Sequence, residues 1–154
     1  MNIMHIDFES SSTLNTEQFA EQLGQKLRGG EILELVSDLG GGKTTFVRGL
    51  ARGFGSKDIV RSPSFALSNQ YKSNDLTMYH FDFYRLDDPG IIANELDEIT
   101  SDPKAIIVIE WAAIVEHVIT VPHLIVQLKY TGDSERDIEI EYPKVYNYLF
   151  ESHA

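Results

Sequence analysis

Apolar positions along this chain follow two periods in turn. Phe19, Ala20, Leu23 and Leu27 recur at helical spacing, which predicts a helix burying one face. Asn15 or Thr16 can cap it, Glu17 falls in its first turn, and Gly29-Gly30 is placed to end it. Ile32 to Val36 is a short apolar run with the length of a buried strand. After a glycine-rich stretch from Ser37 to Gly42, helical spacing returns over Thr44 to Phe54 with Phe46, Val47 and Leu50 on one side.

The period then shortens. Ser62-Pro63 marks an extended entry, because a residue before proline avoids helix. Phe65 to Tyr71 and Leu76 to Tyr84 read as two strands around the turn at Lys72 to Asp75. Asp87 to Gly90 is another turn, and Ile91 to Ile99 reads as a short helix. Ala105 to Ile109 is a strongly apolar strand ending in Glu110-Trp111. His123 to Tyr130 and Arg136 to Tyr142 form a further hairpin around Thr131 to Asp133. Pro143 can open a last amphipathic helix carrying Val145, Tyr146, Leu149 and Phe150, whose spacing favours packing on its own domain. Interleaved helices and strands with hairpins predict an α/β domain of three layers around a mixed, partly antiparallel central sheet. No repeat or linker divides residues 1–154, so a single domain is expected.

Composition narrows the function classes. The chain has 154 residues, 42% of them hydrophobic and 24% charged, as in a globular protein with a core. No apolar run reaches the ~20 residues of a transmembrane helix. Met1 to Glu9 carries acids and no basic apolar signal, so a cytoplasmic location is expected. There is no cysteine, which excludes disulfides and thiolate chemistry, and the five histidines show no zinc spacing. A net charge of -11 argues against a general nucleic-acid surface. The exception is Lys43 to Arg61, where Lys43, Arg48, Arg52, Lys57 and Arg61 stand against Asp58 alone. That segment suits phosphate or an acidic partner, or is a solvated helix face.

Chemistry concentrates in Ser37-Asp38-Leu39-Gly40-Gly41-Gly42-Lys43-Thr44-Thr45. It matches the phosphate-loop pattern G-x-x-x-x-G-K-[ST] except that Ser37 replaces the first glycine. Glycines let consecutive N–H groups face phosphate oxygens, and the helix begun at Lys43 adds its positive end. Lys43 reaches the β- and γ-phosphates, and Thr44 offers a hydroxyl to Mg²⁺. If the first position needs a positive φ, Ser37 is mildly strained there. Glu110, at the end of an apolar strand, stands where the metal-side acid of such a site belongs. Alternation places His80, Asp82 and Tyr84 on one strand face, where a buried His and Asp are either used in chemistry or hydrogen-bonded for structure. Asp87-Asp88-Pro89-Gly90 fits D-x-x-G but reads as a turn. The guanine-reading N-K-x-D is absent, so ATP is preferred to GTP.

Four segments occur together in order: Asp38 to Thr45 with Arg48-Gly49, Ser62-Pro63-Ser64-Phe65, His80-x-Asp82-x-Tyr84-Arg85-Leu86, and Ile109-Glu110-Trp111. Over residues 16 to 142 this combination resembles the TsaE (YjeE) family, the small P-loop ATPases of bacterial tRNA threonylcarbamoyladenosine synthesis. The resemblance implies a P-loop NTPase-like fold and weak ATPase activity that sustains turnover of TsaB and TsaD without transferring the group. It implies that Lys43 holds phosphates, that Thr44 and Glu110 ligate Mg²⁺, and that Asp82 lies near the metal and attacking water. It further implies a switch-like segment at Ser62, Pro63, Ser64 and Phe65, Trp111 beside the nucleotide, and the base near Thr16. Ser37 and Ser64 depart from the family's usual glycine and threonine. With so acidic a chain, tRNA is expected to be met mainly through the partners. Two other readings share the loop: a small-molecule kinase, for which 154 residues leave little room for a lid, and a nucleotide-gated adaptor that does not hydrolyse ATP.

Overall fold

The computed structural model describes residues 2–37, 42–61, 68–83, 90–110 and 119–151, with no account of the side chains of 90–92. Its centre is a seven-stranded sheet. In chain order the elements are β1 (Ile3–Ser10), α1 (Thr13–Gln25), β2 (Ile32–Ser37), α2 (Lys43–Gly53), β3 (Ser68–Lys72), β4 (Thr77–Asp82), α3 (Gly90–Thr100), β5 (Ala105–Glu110), β6 (Leu124–Tyr130) and β7 (Arg136–Pro143), closed by a 3₁₀ turn over Lys144–Leu149. The strands lie in the order β1-β7-β6-β2-β5-β4-β3. β2 is central and parallel to both β5 and β6, and β4 is parallel to β5, while β1, β3 and β7 are paired antiparallel. The expected mixed sheet is therefore present.

Side-chain alternation builds the layers. Leu33, Leu35, Ile106 and Val108 point to the face covered by Ala20 and Leu23 of α1, Leu27 just beyond it, and Phe46, Val47 and Leu50 of α2. Ile32, Ile107 and Ile109 point to the other face and pack with Phe81, Phe83 and Leu96 of α3. Every residue of β5 is buried, which is why that strand reads as unbroken apolar sequence.

Four boundaries differ from the sequence reading. The cap of α1 is Ser12, not Asn15 or Thr16. Its hydroxyl accepts from the Asn15 N–H at 3.0 Å, while the Asn15 side chain reaches back to the Ser11 N–H at 3.0 Å. Helix α1 ends at Gln25, before Gly29-Gly30. The turn beyond it is held by buried Glu31, whose carboxylate accepts the N–H groups of Arg28 and Gly29, both at 2.8 Å. Strand β1 was not foreseen at all; Met4, Ile6 and Phe8 alternate with His5, Asp7 and Glu9, and Phe8 stacks on Phe19 with ring centroids 4.4 Å apart. The closing helix is only a 3₁₀ turn, though it packs on the same sheet as expected: Leu149 is buried, Tyr148 donates to Glu31 at 2.6 Å and Tyr146 to the Pro122 carbonyl at 3.0 Å.

Helix α2 must be set close against α1, and Gly49 makes this possible. A Cβ at Gly49 would collide with the Glu17 carbonyl oxygen and stand 2.7 Å from the Ala20 Cβ. Alanine ordinarily favours a helix by ~1 kcal/mol over glycine. Here we expect Gly49→Ala to destabilise the fold by about 1–3 kcal/mol through overpacking, measured by urea denaturation.

Candidate functional site

The parallel strands β2, β5 and β4 bring their carboxyl ends together, the usual place for ligand sites in sheets of this kind. Ser37 closes β2 and is paired with Leu128 in the ladder. Strand backbone is ordinary for serine, so the replacement of glycine there brings no positive-φ strain. Gly42 supplies the sharp entry into α2: it is the helix cap at φ 96°, a conformation that favours glycine. Lys43, Thr44 and Thr45 then form the first turn of α2, at the positive end of the helix dipole.

Three charged or polar side chains meet there. Lys43 Nζ lies 3.3 Å from Glu110 Oε1, with the two side chains only 12% and 6% exposed. The other Glu110 oxygen, Oε2, lies 2.6 Å from His80 Nε2. Burial alone would raise the Glu110 carboxyl. The His80 hydrogen bond, and after it the Lys43 ammonium, outweigh it and hold Glu110 below its ordinary value. The group is thus ionised at neutral pH, ready to bind a cation. Asp82 is the register partner of Glu110 across the β4–β5 ladder, and β4 alternation puts it on the His80 face. The sequence reading left His80 and Asp82 either used in chemistry or hydrogen-bonded for structure; the structure gives His80 Nε2 to Glu110.

Other predicted residues are placed as follows. Thr16 is 2% exposed, and its hydroxyl lies 2.5 Å from the Ser10 hydroxyl at the foot of α1. Ser10 in turn pairs with Arg136 across the β1–β7 ladder. Asp38, Leu39, Gly40, Gly41, Ser62, Pro63, Ser64, Phe65, Tyr84, Arg85 and Trp111 lie outside the described residues. Within the basic segment, Arg52 is committed to Glu17 at 2.5 Å, and Arg48, Lys57 and Arg61 are exposed.

Arg136 was missed by the sequence reading, which placed it only in a hairpin. Its Nε stands 3.6 Å from where a Cβ of Gly42 would be, so the β6–β7 hairpin borders the entry to the phosphate loop. The guanidinium is steadied by carbonyls of its own turn, among them Glu135 at 2.7 Å, and lies 4.2 Å over the Tyr130 ring. No sequence pattern signals this, because the contact joins residues 42 and 136 through the β1–β7–β6–β2 order.

A second acidic group lies on the sheet face away from α1 and α2, where Asp7, Asp137 and Glu139 hold their carboxylate oxygens within 4.8 Å of one another. The hydrogen bond with Asp7, then burial and neighbouring charge, raise Asp137 from 3.8 to about 6. A carboxyl raised on folding contributes stability that is full below the unfolded value and lost as pH rises through the folded one. We therefore expect Asp137→Asn to raise the melting temperature at pH 8, with the gain shrinking as pH falls from 6 to 4. Thermal melts across that range check it.

Comparison with known proteins agrees with this architecture. The family model described as threonylcarbamoyl adenosine biosynthesis protein TsaE matches residues 10–138. The chain is 36% identical over 123 residues to the tRNA threonylcarbamoyladenosine biosynthesis protein TsaE of Bacillus subtilis, covering 80% of this chain and 77% of that one. It is 35% identical over 142 residues to the protein of the same name from Rickettsia typhi, covering 92% and 96%. The crystal structure of Bacillus subtilis YdiB superposes with a TM-score of 0.81 at 29% identity, over 97% of this chain and 94% of that one. On the evidence of a family match across both the phosphate loop and the β4–β5 acids, the chain belongs to the TsaE family.

Proposed function

We propose that this chain binds and hydrolyses ATP as a subunit of the bacterial tRNA threonylcarbamoyladenosine machinery, acting with TsaB and TsaD rather than transferring the group itself. The observation that carries this reading is the cluster of Lys43, Glu110 and His80 where α2 begins. A lysine at a helix start, beside an ionised acid at the end of the neighbouring parallel strand, is the arrangement phosphoryl transfer uses to neutralise developing charge. Membership of the TsaE family supports the biological setting.

Each residue then has a role. Lys43 leaves Glu110 to hold the β- and γ-phosphates, and the α2 N–H groups with Gly42 and its loop cradle the same oxygens. Thr44 and Glu110 offer oxygen donors suited to Mg²⁺, and Asp82, opposite Glu110 in the β4–β5 ladder, stands near the metal and attacking water. When bound, Mg²⁺ neutralises charge on the phosphates. Asp82 or Glu110 orients the attacking water. Arg136 and Tyr130 border the nucleotide from the β6–β7 hairpin, on the Thr16 side where the base is expected. The surface charge of the chain favours meeting tRNA through the partner proteins.

Calorimetric titration tests this reading. ATP with Mg²⁺ is expected to bind saturably at one site, and GTP more weakly. Heat-silent titrations with both nucleotides, in the isolated protein and with TsaB and TsaD present, would overturn it.

A further inference from the structure

His80 is 0% exposed, the most buried polar side chain among the described residues. Its Nε2 meets Glu110 Oε2 at 2.6 Å, whereas its Nδ1 is buried with no hydrogen-bond partner among the described residues. These two facts set the tautomer. A hydrogen on Nδ1 would be a buried donor with no acceptor among the described residues, so the hydrogen sits on Nε2 and is donated to Glu110. An apolar side chain would fill the same place in β4 without an orphaned nitrogen. The imidazole is retained at a cost to packing, and its one hydrogen bond goes to the acid of the site.

The two partners of Glu110 differ in mobility. His80 belongs to a strand held by β3 on one side and β5 on the other, with its ring 6.3 Å from that of Tyr71. Lys43 reaches Glu110 Oε1 from the first turn of α2 on a flexible four-carbon stem. When phosphate draws Lys43 away, Glu110 keeps His80 and therefore its aim. We propose that His80 is a positioning residue that fixes the Glu110 carboxylate, through Nε2, in the orientation that receives the divalent cation. This rests on the reading of Glu110 as a Mg²⁺ ligand. Partners that orient a ligating carboxylate typically govern metal affinity by about 10- to 100-fold.

The test compares wild type, His80→Leu and His80→Gln, the last of which can still donate an N–H. ATP affinity without Mg²⁺ is read by calorimetry. The Mg²⁺ concentration giving half-maximal hydrolysis is read with the partner proteins present. His80→Leu is expected to keep ATP affinity within about twofold and to need about 10- to 100-fold more Mg²⁺. His80→Gln is expected to recover most of the difference. An unchanged Mg²⁺ requirement in His80→Leu overturns the proposal, as does equal impairment of two folded variants, which would make the ring a packing element only. Should His80→Leu not fold, the wild-type protein decides: the exchange-protected imidazole N–H proton resonance of His80 is expected to shift when Mg²⁺ is added to the ATP complex, and a fixed resonance overturns the proposal. A wild type that neither binds nor hydrolyses ATP overturns the functional reading itself, and this inference with it.

Discussion

Lys43→Ala is expected to lose saturable ATP binding at concentrations where the wild type is filled. Its ammonium is the only lysine or arginine charge among the described residues paired with Glu110, and it stands in the first turn of α2. A charge-assisted hydrogen bond to phosphate contributes about 1.5–3 kcal/mol, which is roughly 10- to 150-fold in affinity. Hydrolysis falls further, because the same charge meets negative charge that grows toward the transition state; loss of one such donor costs on the order of 10²–10³ in rate. The fold is retained, because Glu110 keeps its bond to His80. Parallel calorimetry and phosphate-release assays on the two proteins check the affinity and the rate.

Glu110→Gln separates binding from turnover. The amide keeps the size of the side chain and still accepts from His80, but it removes the anion that the cation and the water-positioning role require. We expect nucleotide affinity without Mg²⁺ to be equal to or tighter than wild type, because Lys43 no longer has a carboxylate to leave. Hydrolysis is expected to drop by on the order of 10²–10³. The acid also ties stability to pH. Its folded value lies below its ordinary 4.5, so its contribution is present above that value and lost as pH falls through the lower folded one. Glu110→Gln should therefore flatten the acid limb of a stability profile below about pH 4.5. Single-turnover phosphate release and acid titration followed by circular dichroism measure the two effects.

The legible parts of the molecule were those written in local pattern. β5 is buried on both faces and reads as unbroken apolar sequence; the β3–β4 and β6–β7 hairpins alternate around turn residues; α2 follows a glycine that its backbone demands. Lys43, Thr44 and Glu110 stood out because the phosphate loop and the strand-end acid are contiguous signatures, and the structure brings Lys43 within 3.3 Å of Glu110. What escaped is set by partners distant in sequence. β1 is an edge strand with one solvated face, so its short alternation among acids gave no apolar run. Ser12 caps α1 because Asn15, itself a good cap residue, is used to bond back to Ser11. His80 meets Glu110 across the β4–β5 ladder, a contact between residues 30 apart in sequence that no single segment carries. Arg136 reaches Gly42 only through the strand order.

The central claim is that the Lys43–Glu110 site turns over ATP in the service of a partner complex. Phosphate release from ATP by the purified wild-type chain, alone and then with TsaB and TsaD, tests it most directly. The account predicts slow Mg²⁺-dependent release by the isolated protein and faster release with the partners, lost in Glu110→Gln under both conditions. Release that is unaffected by Glu110→Gln, or no release in the complete mixture while ATP is bound, would contradict it.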